Sequence, residues 1–147
     1  MANVFDIAEF ILREQGPMTT WKLQKLVYYC QVWSLVWDDN PLFSEPIEAW
    51  ANGPVVRKLY EIHRGQYIIT DIPQGNPNNL IPEEVETIKA VLNYYGNKSS
   101  QYLSDLTHME DPWQLARQGI SGDRRSNQII SLESMAEYYE SLSPDED

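Results

Sequence analysis

Apolar positions recur along this chain at helical spacing, and turn chemistry separates the runs. Val4, Ile7, Ala8, Ile11 and Leu12 share one face of an amphipathic helix predicted over residues 3–15, with Asn3 as N-cap and Gly16–Pro17 as the stop. Thr19 or Thr20 caps a second helix over residues 20–37, in which Leu23, Leu26, Val27, Cys30, Trp33 and Trp37 form one stripe. Tyr28, Val32 and Leu35 carry apolar character around its side. A helix apolar over most of its circumference is buried from several directions, so this one is expected to be central. Asp38–Asp39–Asn40–Pro41 is a turn and Ile47–Ala51 a short extended segment. Pro54, which has no N–H, suits the first turn of a helix carrying Val55, Val56, Leu59, Tyr60 and Ile62 as far as His63.

Tyr67–Ile68–Ile69 is β-prone, and Ile129–Ile130 is a second short strand able to pair with it. After the loop Pro73–Asn79, Pro82 opens a helix with Glu83, Glu84 and Glu86 in its first turns, where the helix dipole favours acids. Its buried stripe is Val85, Ile88, Leu92 and Tyr95, and Gly96 ends it. Ser99 or Ser100 caps a short helix with Leu103 and Leu106. Asp111 caps another, with Pro112 at its first position, through Trp113, Leu115 and Ala116 to Gly119. A polar loop, Gly119–Asn127, follows; Ser131 then caps a last helix with Leu132, Met135, Tyr139 and Leu142, before a frayed acidic tail over residues 143–147. The fold class predicted is mainly α: a compact single domain over residues 1–147, with about six to seven helices and a minor short β-hairpin.

Composition adds charge and compartment. The 147 residues hold 22 acidic and 11 basic side chains, a net charge of −11. Such a chain repels phosphate backbones, and the local exception, Arg124–Arg125, is too small for a nucleic-acid footprint. A basic protein partner fits the charge; the plainer use of the acidity is solubility. Cys30 is the single cysteine, so no internal disulfide forms. The N-terminus lacks the pattern of a signal peptide, and Leu23–Trp37 falls short of the ~20 apolar residues that span a bilayer. A soluble, cytoplasmic protein without direct membrane contact is expected.

Reaction chemistry finds little support. Cys30 lies on an apolar stripe, where a buried inert thiol outweighs a nucleophile. His63 closes a predicted helix and reads as a C-terminal cap, while His108 reads as a hydrogen-bonded loop residue. Asp105, Glu110 and Asp111 around His108 resemble an acid–base or metal cluster, though helix capping by Asp111 is the simpler role. Neither zinc-ligand spacing nor a phosphate-cradling glycine loop occurs. No catalytic residue, metal site or cofactor is therefore expected. What remains is contact chemistry. Four of the five tryptophans fall between Trp21 and Arg57, and Trp21, Trp50, Arg57, Tyr60 and Trp113 combine large area with a polar handle. For Trp50 and Trp113 a core position is the simpler role. Arg57, near a helix start that repels cations, answers to an acid inside the fold or on a partner.

Three blocks of these residues resemble a known family. Lys22–Leu23–Gln24–Lys25–Leu26–Val27–Tyr28–Tyr29–Cys30–Gln31 is similar to its KLQKLLYYAQ helix. Pro41–Leu42–Phe43, Glu48–Ala49–Trp50 and Gly53–Pro54–Val55 follow its PLF–EAW–GPV segment. Leu103–Ser104, Thr107–His108, Glu110 and Pro112–Trp113 follow its LS–TH–E–PW block. Together they span residues 18–140 and resemble the Panacea-domain antitoxins, also described as phage-associated GepA-like or SocA-like proteins. Asn52 stands where that family often has an aromatic residue, and Met109 where it often has arginine. The resemblance implies a non-catalytic antitoxin that binds a cognate protein toxin, encoded beside it and basic in charge. It also implies an alternative, a proteolytic adaptor delivering the toxin to a ClpXP-type protease, with Leu142–Asp147 as a candidate tether. An enzyme centred on Cys30 or His108 is a remote third reading. The family-signature positions carried over are Trp21, Tyr28, Trp50, Arg57, Tyr60, His108 and Trp113.

Overall fold

A computed structural model describes residues 2–118, 120 and 126–142. Within them the chain forms seven α-helices and four short strands, and the architecture is mainly α. Helix α1 (Val4–Gln15) starts at a reciprocal cap: Asn3 Oδ1 accepts from Asp6 N–H at 3.0 Å, and Asp6 returns the bond to Asn3 N–H at 2.9 Å. Strand β1 (Met18–Thr19) leads into α2 (Thr20–Asp38), capped by Thr19 through a 3.1 Å bond from Lys22 N–H.

Helix α2 is the axis of the molecule. Every residue from Leu23 to Val32 is buried, polar ones included. Around it lie α1, α4 (Pro82–Tyr95), α5 (Ser100–Met109) and α7 (Leu132–Leu142). The stripe is one residue shorter than expected, because Trp37 stacks on Trp33 at the helix end and stays 49% exposed. At the last helix Met135 and Tyr139 face the core while Leu132 and Leu142 face solvent. Its start is as expected, with Ser131 Oγ accepting from Ser134 N–H at 3.1 Å.

Two glutamines seven residues apart on α2, hence on one face, substitute for backbone partners. Gln31 donates to Phe43 C=O at 2.9 Å and accepts from Leu42 N–H at 2.7 Å. Gln24 accepts from Val56 N–H at 2.9 Å and donates to Val56 C=O at 3.3 Å. Each fixes a neighbouring loop or strand to the central helix, so these polar positions organise the core they interrupt.

The segment around Gly53–Pro54 differs from expectation. It is strand β3 (Gly53–Val56), paired antiparallel with β2 (Ile47–Trp50) in the register Ile47–Val56, Glu48–Val55, Ala49–Pro54 and Trp50–Gly53. Helix α3 starts only at Arg57 and runs to His63. Proline fits because Ala49 spends its N–H on Gln128 C=O at 2.8 Å, away from β3, so the Ala49–Pro54 pair needs no donor from Pro54. Gly53 turns the hairpin at φ +122°, where a side chain is strained.

The other strand prediction is corrected as well. Strand β4 (Ile68–Ile69) pairs with Met18–Thr19, not with Ile129–Ile130. The latter instead joins the outer edge of β2, where Ile130 N–H donates to Ile47 C=O at 2.8 Å. Helix α6 (Asp111–Ala116) is preceded by Glu110, not Asp111, at its cap position. The Glu110 carboxylate gives no cap bond because it turns inward, accepting from Tyr29 at 2.7 Å and Tyr139 at 2.5 Å. The predicted stop at Gly119, the Arg124–Arg125 pair and the acidic tail from residue 143, with its tether, lie outside the described residues. Among the described residues no helix is long and apolar enough to cross a membrane.

Candidate protein-binding cleft

The hairpin has two unlike sides. Along a strand, side chains alternate, so Glu48 and Trp50 share one face of β2. Trp50 Nε1–H accordingly donates to Glu48 Oε1 at 2.8 Å. Arg57, at the start of α3, brings Nε to Glu48 Oε2 and Nη2 to Glu48 Oε1, both at 3.0 Å, while its guanidinium lies 5.4 Å from the Trp50 ring centre. The acid expected to answer Arg57 is thus within the fold. One helical turn on, Tyr60 meets Trp50 edge to face at 4.8 Å, and three residues further His63 meets Tyr60 at 5.5 Å.

Trp50, Arg57 and Tyr60 border an open cleft of about 670 Å³. Trp21, Trp50 and Tyr60 form its aromatic walls, Arg57 and Arg64 its cations, and Asn52 part of its rim. Ser126 and Asn127 close it from the far segment. Aromatic walls beside placed polar and cationic groups are a usual make-up of a protein-recognition surface.

Behind the cleft sits Lys25. Its side chain is fully buried, its Nζ lies 5.1 Å from the Trp21 ring centre, and it has no hydrogen-bond partner among the described residues. Burial pulls its pKa down to about 7. A Cβ on Gly53 would come within 2.5 Å of Lys25 Cε and 3.1 Å of Thr107 Oγ1, so the turn glycine also makes room for this lysine.

The opposite side of the hairpin is closed by side chains from α5 and α6 and the residue after α6. Four consecutive carbonyls are taken: Ala49 by Arg117 Nη1 at 2.9 Å, Trp50 by Trp113 Nε1 at 2.8 Å, Ala51 by His108 Nε2 at 3.0 Å, and Asn52 by Ser104 Oγ at 2.9 Å. Backbone acceptors outside the ladder need such partners, while Trp50 C=O, in the hydrogen-bonded pair with Gly53, takes the indole as a second donor. His108 stands on α5, not in a loop, and burial lowers its pKa, so the neutral ring donates through Nε2–H. It tilts against Trp113, with ring centres 4.2 Å apart.

The seven signature positions therefore separate. Trp21, Trp50, Arg57 and Tyr60 meet at the cleft; His108 and Trp113 clamp the hairpin. Tyr28 is buried, its hydroxyl 3.1 Å from that of Tyr139. Trp113 is core, as the simpler role required, whereas Trp50 remains half-buried at the cleft. His63 is not a cationic cap. It is buried, burial lowers its pKa, and its Nε2 accepts from Gln24 Nε2–H at 3.0 Å. Cys30 is wholly buried with its thiol pKa pushed up, which disfavours the nucleophilic thiolate. Of the acids once grouped near His108, Glu110 faces the tyrosines and Asp105 bonds Gln101 at 2.8 Å. No group of three or more potential ligands among the described residues is placed to hold a metal. Sequence reasoning missed Lys25, Asn52, Arg64, Ser126 and Asn127. The only available signal was for Lys25 and Asn52, which fall inside the signature blocks.

A helical fold that turns aromatic rings and guanidinium groups toward an open cleft, with no assembled nucleophile–base pair among the described residues, has the make-up of a binding module. The chain belongs to the SocA-like antitoxin family, Panacea domain, whose model matches residues 23–114. That match contains α2 from Leu23 onward, the hairpin, α3 and the clamp through Trp113, and leaves Trp21 outside it. No curated protein and no solved structure gives a significant match.

Proposed function

We propose that this protein is the antitoxin of a toxin–antitoxin pair and neutralises a cognate protein toxin by direct binding, without catalysis. The toxin contacts the cleft bounded by Trp21, Trp50, Arg57 and Tyr60. The observation that carries this reading is the meeting of four separately predicted signature residues at one open surface, in a chain of an antitoxin family. Trp, Tyr and Arg are the residue types that concentrate binding energy at protein interfaces. The net charge of −11 speeds encounter with a basic partner. The partner acts in the cytoplasm and is encoded next to this chain.

The test expresses the adjacent gene alone and then with this protein. Growth arrest that is relieved together with co-purification of the two products is the expected result. A harmless neighbour, or relief without a complex, overturns the reading.

A further inference from the structure

We infer that the cleft receives an acidic segment of the partner protein, placing one carboxylate on Arg64 and Arg57 and an adjacent aromatic or aliphatic side chain on Trp21, Trp50 and Tyr60. This rests on the cleft being the partner-binding surface. The sign of the charge leads the argument. In a chain with twice as many acids as bases, the described lining of the cleft holds two arginines and no carboxylate.

The amount of charge narrows the ligand. Glu48 occupies Arg57 through Nε and Nη2 and offsets its charge, leaving Nη1 as a donor. Arg64 makes no ion pair among the described residues. The site thus offers about one uncompensated charge, which one carboxylate matches in a bidentate fork. A nucleotide polyphosphate would bring several charges to that single one, against the field of the whole chain. The side-chain amides of Asn52 and Asn127 at the rim suit the backbone carbonyls of an extended segment. A basic partner and an acidic anchor are compatible, since the exterior draws the partner in and the cleft reads one local group.

The test titrates the 15N-labelled chain with the blocked dipeptide Ac-Phe-Glu-NH2, its neutral twin Ac-Phe-Gln-NH2, and ATP, following the indole N–H signals. The acidic dipeptide is expected to shift Trp21 and Trp50, which line the cleft, but not Trp33, which does not. It should bind about tenfold more tightly than its twin, the preference of a charge-assisted hydrogen bond at a partly exposed site. Arg64→Gln should erase that preference and leave the rest of the spectrum in place. No shift, equal binding of the two dipeptides, or tighter binding of ATP overturns the inference. If the toxin still co-purifies in those cases, and Arg64→Gln leaves its affinity unchanged, the antitoxin reading survives alone. If the dipeptides behave as expected and no toxin binds, the carboxylate site stands and the antitoxin reading falls.

Discussion

One hairpin divides two chemistries. Toward α5 and α6, four successive carbonyls of residues 49–52 are each answered by a side chain of the same protein. Toward α3, three aromatic rings and two guanidinium groups border open space. Residues from the same signature blocks stand on both sides, so membership in a motif does not separate contact from scaffold. Exposure does. A side chain enclosed against the hairpin holds shape, and one that still faces the cleft is available to a partner, even where, as in Trp50 and Arg57, Glu48 already holds some of its N–H groups.

The sharpest break in that comparison comes from the clamp. Trp113→Ala removes a buried ring together with its bond to the Trp50 carbonyl, and should cost about 3–5 kcal/mol in urea denaturation. Loss of neutralisation in this variant should accompany unfolding. Lys25→Met replaces an unpaired buried ammonium by an apolar chain and should gain about 1–4 kcal/mol near neutral pH. Its pH signature is distinctive. With the folded pKa lowered to about 7 from 10.5, the unfolded chain binds more protons between these values, so stability rises with pH across that window. Subtracting the Lys25→Met profile from that of the natural chain should isolate the slope; identical profiles would show that Lys25 is not titrating there.

Gly53→Ala tests the turn from the cleft side. Positive φ and the approach to Lys25 should together cost about 1–3 kcal/mol, read as a lowered urea midpoint. The smallest stability effect belongs to the wall: Trp21→Ala should cost only about 1 kcal/mol of folding, yet weaken toxin binding by 2 kcal/mol or more in calorimetry. Equal losses in folding and binding would place Trp21 with the clamp.

The helices were legible in the sequence because stripes such as Val4–Ile7–Ile11 and Ile88–Leu92–Tyr95 and the caps Asn3, Thr19 and Ser99 are local signals. The hairpin was not, because Gly–Pro followed by valines fits a helix start as well as a strand. Only the pairing of Ala49 with Gln128, nearly eighty residues away, makes Pro54 acceptable in a ladder. His63 was misassigned for a related reason: nothing local shows that a polar position of α2 will bury beside it. Four of the cleft's residues were named from side-chain type and motif. Arg64, Ser126 and Asn127 were not, since only tertiary folding brings the start and end of the chain to one rim.

The bond between Gln24 and Val56 has a consequence for the manner of recognition. The outer edge of β2 is occupied by residues 128–130, while on the outer edge of β3 Pro54 offers no N–H and Gln24 holds both polar groups of Val56. Many proteins capture extended peptides by lending a free sheet edge, a mode that accepts almost any sequence because the backbone does the binding. This hairpin has no edge to lend. A partner docking at the hairpin must be read through its side chains, and the same closed borders keep this hairpin from pairing strand to strand with that of another copy.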